Sequence, residues 1–431
     1  MFISETLSVN AKNLLTIGGA DIEILAEKYK TPLYLMDEKL IKQNCLRYMA
    51  ALKKYYGENS CAFYASKAFC AKYMYKLLSE AGMGADVVSG GELYTALSGG
   101  MAPNRIYFHG SNKTTDEIEF ALESNINRFV VDNIYELETL NSLAYAKGKT
   151  ANISFRLKPG IDAHTHEFTM TGSSNSKFGI SLENNDALNA VERAISLPNI
   201  NLSGVHCHIG SQIFELEPYR VASKRLVSFI ALVYNKLNYK ITEINLGGGF
   251  GIKISEQDDP NTIEENVRVI AESVKAEIAR HNLHALFLAI EPGRSIVSSA
   301  GITVYTVGNL KSKDNESTFL SVDGGMTDNP RPALYNAQYT SLPVKNPCGE
   351  RVKNYTIVGR CCESDVLIKT ILMPEVKTGD LIAFLSTGAY NYSMAMNYNR
   401  VPRLPVVMVN NSEDKLIIKR ETYDDLIKND L

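Results

Sequence analysis

Between residues 61 and 294, short runs rich in β-branched and aromatic residues alternate with longer stretches whose apolar positions recur three and four apart. The runs are CAFYASKA, GADVVS, RIYFHG, RFVVDN, ISFRLKPG, LSGVHCHIG, ITEINLGGG and ALFLAIEPGR. The first five begin roughly 20 to 25 residues apart; later intervals widen to roughly 40 or 50, which leaves room for long loops. Segments between them, such as AKYMYKLLSEAGM and YELETLNSLAYAKG, have the period of helices that cover a sheet. Eight strand-helix units in series predict an α/β fold built on a (β/α)8 barrel of the TIM type.

After residue 295 the texture changes to brief strands separated by turn signals: ITVYTVG, TFLSVDGG, NYTIVGR, VLIKTIL, DLIAFLS, PVVMV and KLIIKRE. This predicts a second, all-β domain of sandwich or barrel character. The early run TPLYLM is expected to pair with it. The predicted organisation is therefore a barrel over 36–294 and a discontinuous β domain made of 1–35 with 295–431. No repeat beyond the strand-helix alternation and no low-complexity linker is visible.

Composition narrows the partners. A chain of 431 residues with 45% hydrophobic and 22% charged residues has ample material for more than one core. The net charge of -3, with no basic cluster, argues against nucleic acid and anionic membrane as partners. The start, MFISETLSVNAKNLL, lacks a basic head followed by an apolar run, and no stretch of about 18 apolar residues occurs, so a cytoplasmic location is expected. Seven cysteines, an odd number, make a poor disulfide framework. Cys45, Cys61, Cys70, Cys207 and Cys348 are expected as buried small hydrophobes. Adjacent Cys361 and Cys362 cannot form a C-x-x-C clip and the seven histidines have no zinc spacing, so no metal is expected. Packing and a reactive thiol both remain open for this pair.

In such a barrel the working residues sit where strands finish. Lys67, in FYASKAF, either points into water or is an amine held at a strand end, partly desolvated and nucleophilic. In DVVSGGEL, Ser89 and Glu92 have the spacing of a helix capping box, and Asp86 is kept as a residue acting behind the site. Alternation puts His206 and His208 of VHCHIGSQ on one side of their strand. The glycine run 247–251, weak evidence alone, follows the seventh strand, where phosphate cups commonly form. Glu291, Gly293 and Arg294 of EPGR offer an acceptor, a bare backbone and a guanidinium suited to phosphate or carboxylate. A carboxylate beside an anion site calls for something cationic, and a protonated pyridine ring would satisfy it. A lysine, a phosphate cup, a histidine and a carboxylate together describe a pyridoxal phosphate site.

On YASKA, HCHIGSQ, GGGFG, EPGR, DGGMTDNPRPALY, CCESD and GAYNYSMAMNYN, in that order, the sequence resembles the barrel-type pyridoxal-phosphate amino acid decarboxylases over essentially its whole length. The resemblance implies that Lys67 carries pyridoxal 5'-phosphate, that His208 stacks on its ring and that Glu291 pairs with the ring nitrogen. It implies Ser211, Gly248, Gly249, Gly293, Arg294 and Tyr390 around the phosphate, and Cys362 as the acid that protonates the substrate carbon, Cys361 merely packing. Cys362 and Glu363 would come from the partner chain of a homodimer with shared active sites.

Charge then bears on the substrate. A decarboxylase gains by leaving the departing carboxylate poorly solvated, so its arginines should grip the far end. Arg294 and Arg331 with Tyr335 suit a distal carboxylate, Glu363 suits a distal ammonium, and Tyr390 is placed with them. A far end bearing both charges is an amino acid group, which implies decarboxylation of meso-2,6-diaminopimelate to lysine. The rivals are a sister enzyme acting on ornithine, arginine or a carboxylated polyamine, a non-catalytic binding homologue, and a phosphate-binding barrel without pyridoxal. One departure stands out: Ser364 runs straight into Asp365 where the family usually has an intervening residue, and Arg360 stands where proline is common.

Overall fold

A helix that covers a sheet needs an apolar stripe and a capped start. Ile134–Ala146 has both: Leu137, Leu140 and Ala144 are buried on one side, and the Asn133 side chain accepts the Glu136 backbone N–H. Ile263–Arg280 buries Ile263, Val267, Ile270, Ala271 and Val274, and opens on a reciprocal capping box between Thr262 and Glu265. The predicted box at Ser89 forms by half. Ser89 accepts from Glu92 N, while the Glu92 carboxylate reaches one residue further back, to the N–H of Val88 at 2.8 Å.

The computed structural model describes residues 2–161, 177–312 and 317–431. The chain divides into two compact units, one of Asn44–Gly251 with Pro260–Gly293, the other of Met1–Gln43, Ile252–Asp259 and Arg294–Leu431. In the first, the predicted runs fold as eight parallel strands: Ser60–Ala65 (β1), Gly84–Val87 (β2), Ile106–Phe108 (β3), Arg128–Val131 (β4), Ala151–Lys158 (β5), Ile200–His206 (β6), Glu243–Asn245 (β7) and Phe287–Ile290 (β8). Each pairs with the next, and β8 pairs with β1 through Leu288–Ser60, Ala289–Cys61 and Ile290–Ala62, so the sheet closes. Closure leaves no free edge, and the all-parallel order requires the covering helices that the sequence supplies. A two-residue strand, Ile180–Ser181, adds to β5.

Near the strand starts the barrel interior holds a buried polar knot. Arg128 donates to Glu243 at 2.7 Å, Tyr107 donates to the same oxygen at 2.9 Å, and Phe63 stacks on Tyr107 at 3.9 Å. Burial raises the Glu243 carboxyl, and Arg128 opposes that shift. Arg128→Leu would leave the carboxylate without its cation, and a loss of about 3 to 5 kcal/mol in urea unfolding is expected. Loss of under about 1 kcal/mol would show the pair to be dispensable.

In the second unit Leu33–Asp37, the predicted TPLYLM strand, lies between Gly301–Ser312, which it meets antiparallel, and Val406–Asn410, which it meets parallel. The path continues through Ser317–Val322, Lys353–Val358 and Val366–Met373. A three-stranded sheet of Leu7–Val9, Leu15–Ile17 and Ala20–Asp21 was not expected; its strands are two or three residues long, too short for alternation to register. Five cysteines were expected to be buried, but Cys348 is exposed and Cys61 and Cys70 half-buried. Cys348 follows Pro347 in a turn, where no core is within reach. Among the described residues no helix is long and apolar enough to cross a membrane.

Candidate active site

β1 ends at Ala65 and runs into a single 3-10 turn, Ser66–Ala68. Ser66 and Ala68 take the buried positions of that turn, which leaves Lys67 exposed, the solvent-facing one of the two readings its sequence left open. Its charge reaches three neighbours. Burial raises Asp86 and Glu92, the latter to about 7, and lowers His208 well below the usual imidazole value; the Lys67 ammonium opposes the first two shifts and adds to the third.

Glu291, one residue past β8, is buried, and three nitrogens converge on its carboxylate. Asn245 donates to Oε1 at 2.6 Å, and His206 Nε2 lies 3.1 Å from Oε2. His109 Nε2 lies 2.8 Å from Oε1, at ion-pair distance but outside good hydrogen-bond geometry. Burial works against this charge, yet the two histidines outweigh it and hold the carboxyl well below the ordinary range. His206 is itself driven down to about 4, chiefly by burial, and is a neutral imidazole near neutral pH. Asp86 stands 3.8 Å from His109 on the same side.

His206 and His208 were expected on one face. His206 is the last residue of β6 and turns to Glu291, whereas His208 lies past the strand end, where alternation stops. The half-buried His208 accepts the Gly248 N–H on Nδ1 at 3.3 Å, which leaves its proton on Nε2. Gly248 itself is dictated by crowding: a Cβ there would lie 2.1 Å from the Glu291 carbonyl oxygen. Gly249, at φ +93, would carry one 2.3 Å from the Gly210 carbonyl. The closing ends of β6, β7 and β8 thus require these glycines with or without a ligand. Gly293 is likewise pressed against Ala65, at 2.9 Å, and Ser211 sits half-buried in the loop after β6.

The β-rich unit brings a second group together. Arg294 and Arg331 approach the Tyr390 ring at 4.7 and 4.9 Å, and Arg331 also lies 5.0 Å from the Tyr335 ring. Both arginines are buried, and Tyr390 adopts a left-handed backbone at φ +68. Burial lowers the Arg294 guanidinium, and the charge of Arg331 pushes the same way. Two buried cations around one ring form a site that an anion stabilises.

The shortened loop is pinned from its base. Asp365, at φ +39, accepts the backbone N–H of Cys361 at 2.9 Å and of Met326 at 2.7 Å. Asn399 accepts the Cys362 N–H at 3.0 Å, and Tyr398 donates to Glu363 at 2.7 Å. Cys361 is buried and its thiol pushed up to about 11, by burial first and Asp365 second. Cys362 and Glu363 are exposed. Of the two adjacent thiols, only Cys362 can meet another molecule.

Sequence reasoning missed His109 and Asn245. Both lie at strand ends, in YFHG and INLGGG, where the rule that found Glu291 applied equally. What it could not supply was their convergence, since β3, β7 and β8 meet only in the closed sheet.

Residues 40–298 match the family described as "Pyridoxal-dependent decarboxylase, pyridoxal binding domain". The chain is 44% identical to the diaminopimelate decarboxylase of Bacillus subtilis (strain 168) over 432 residues, covering 100% of this chain and 98% of that protein. It is 42% identical to the diaminopimelate decarboxylase of Staphylococcus aureus (strain COL), covering 99% of each. A crystal structure of diaminopimelate decarboxylase from M. jannaschii in complex with L-lysine superposes with a TM-score of 0.91 at 35% identity, over 100% of this chain and 99% of that one. With this likeness running from end to end, and a buried carboxylate and an exposed lysine at the ends of its barrel strands, the chain belongs to the pyridoxal-dependent decarboxylases, in their diaminopimelate decarboxylase branch.

Proposed function

We propose that the protein decarboxylates meso-2,6-diaminopimelate to L-lysine and CO2, with pyridoxal phosphate attached at Lys67. The observation that carries this reading is Glu291: a buried carboxylate, held well below the ordinary range and hydrogen-bonded by the Asn245 amide and the His206 imidazole, keeps its charge for a cationic partner. A pyridine nitrogen that must stay protonated is such a partner, so the residues present fit the cofactor. When bound, pyridoxal phosphate supplies a ring that accepts the electron pair left as CO2 departs.

The chain's own residues do the rest. Lys67 anchors the cofactor and gives way to the substrate amine. His208 presents its ring face, and Ser211, Gly248, Gly249, Gly293, Arg294 and Tyr390 hold the phosphate. Arg331 and Tyr335, with Arg294, take the distal carboxylate, and Glu363 takes the distal ammonium. No arginine is assigned to the departing carboxylate, which avoids stabilising the group to be lost. Cys362 holds a proton on Sγ and delivers it to the carbon that lost CO2. In this reading the protein is a cytoplasmic homodimer, and the exposed Cys362 and Glu363 serve the partner's site.

The test is product analysis with separate diaminopimelate stereoisomers beside L-ornithine and L-arginine. Lysine release from the meso isomer is expected to exceed amine release from ornithine by about 100-fold or more in kcat/KM, because ornithine leaves the arginines facing a cation. Equal rates would overturn the assignment of Arg331 and Glu363 to an amino acid group.

A further inference from the structure

Glu291 can accept at about four lone-pair positions when ionised. Asn245 and His109 approach Oε1 at 2.6 and 2.8 Å, and His206 approaches Oε2 at 3.1 Å. Among the described residues, Asn245 and His206 hydrogen-bond the carboxylate and His109 crowds Oε1 at ion-pair distance, so one position on Oε2 is left over. The kind of group at the other three is informative. A lysine or arginine there would close a salt bridge and spend the carboxylate's charge. The Asn245 amide and the neutral His206 imidazole donate hydrogen without bringing a full charge, so the anion is stabilised and still calls for a cation. The rings of His109 and His206 stand edge to face at 4.8 Å and 75°, a spacing at which two imidazolium ions would repel. The groups that face His206 electrostatically, besides Glu291 and His109, include Arg156, whose positive charge also favours the neutral ring. Asn245 is in turn fixed by the Gly247 N–H, which its Oδ1 accepts at 2.9 Å, so its amide nitrogen is turned toward Glu291.

We infer that His206, aided by His109, is a positioning residue that holds the Glu291 carboxylate ionised and in one rotamer, with a single oxygen lone pair kept for the ring N–H of pyridoxal phosphate. The inference deepens the proposed function and rests on it. Neither histidine exchanges a proton with substrate; both act through Glu291. His109, just past the end of β3, and His206, at the end of β6, approach the carboxylate from two directions, which a single group cannot do.

The experiment compares cofactor-free native protein with His206→Leu, His109→Leu and the amide variant His206→Gln, which can still donate at similar reach. Two quantities are read. Difference infrared spectroscopy, with Glu291→Gln to assign the band, reports whether Glu291 is protonated at neutral pH. Absorbance titration with pyridoxal phosphate reports affinity. The expected result is a protonated-carboxyl band and about 10-fold or more weaker binding in His206→Leu, a smaller loss in His109→Leu, and affinity within about 3-fold of native in His206→Gln. If His206→Leu does not fold, His206→Asn, whose amide is too short to reach Oε2, takes its place with the same expectation. A folded variant lacking the donor that keeps Glu291 ionised and binds the cofactor as tightly as native overturns the inference. Failure of native protein to bind pyridoxal phosphate at all would instead overturn the proposed function, while the infrared comparison still decides the state of Glu291.

Discussion

Lys67→Ala is expected to fold normally and to turn over no detectable diaminopimelate. The side chain is exposed and lies in a turn whose packing is carried by Ser66 and Ala68, so its removal costs the fold little. Under the proposed function it removes the amine that anchors the cofactor and, at the end of the reaction, the amine that displaces product. Loss of both functions predicts a fall of at least about 10,000-fold, larger than a misplaced acid or base alone would give. The check is borohydride reduction of cofactor-loaded native and variant proteins followed by digestion and mass spectrometry, beside turnover. Native protein should show a pyridoxyl adduct on the peptide containing Lys67, and the variant none. An adduct on a different lysine in native protein would move the anchor elsewhere and undo the reading of the whole strand-end cluster.

Cys362→Ala is expected to lower kcat by about 100-fold or more while pyridoxal phosphate binds as before. The thiol is exposed beside a buried neighbour that cannot replace it, since Cys361 is turned inward and bound through its backbone to Asp365. Burial and the Asp365 charge also push the Cys361 thiol up to about 11, so it stays protonated and enclosed. A positioned acid acts on the step after CO2 departs, so KM should change little and solvent-isotope exchange at the product carbon should lose stereochemical control. Cys362→Ser, with a hydroxyl of similar size, should recover part of the rate if reach matters more than acidity. A Cys362→Ala protein with the native rate would exclude the thiol from proton delivery. The one-residue shortening before Asp365 does not leave this loop loose, because Asp365, Asn399 and Tyr398 each tie a different residue of it.

Local chemistry made much of this legible in advance. The eight strand runs and their helices were readable because the periods of 2 and 3.6 depend only on backbone geometry. Lys67, His208, Glu291 and Arg294 stood out because each is a reactive or charged residue at a place where a strand ends, whereas Cys362 was singled out only by the family resemblance. The glycines after β7 were equally visible, but the sequence could not say why they are glycines. Carbonyl oxygens of Gly210 and Glu291, distant in sequence, occupy the space a Cβ would need.

Pattern alone thus determined the order of the barrel elements, the barrel class and the residue types available for chemistry, because those follow from neighbours along the chain. Only the tertiary structure decided which of them act together. His109, His206 and Asn245 reach one carboxylate because β3, β6, β7 and β8 end at the same rim, and Arg294 and Arg331, each the first residue of a short helix, share the Tyr390 ring. Burial did the remainder: it made His206 a neutral donor, left Lys67 open and set Cys362 apart from Cys361, distinctions of dielectric that no run of letters carries.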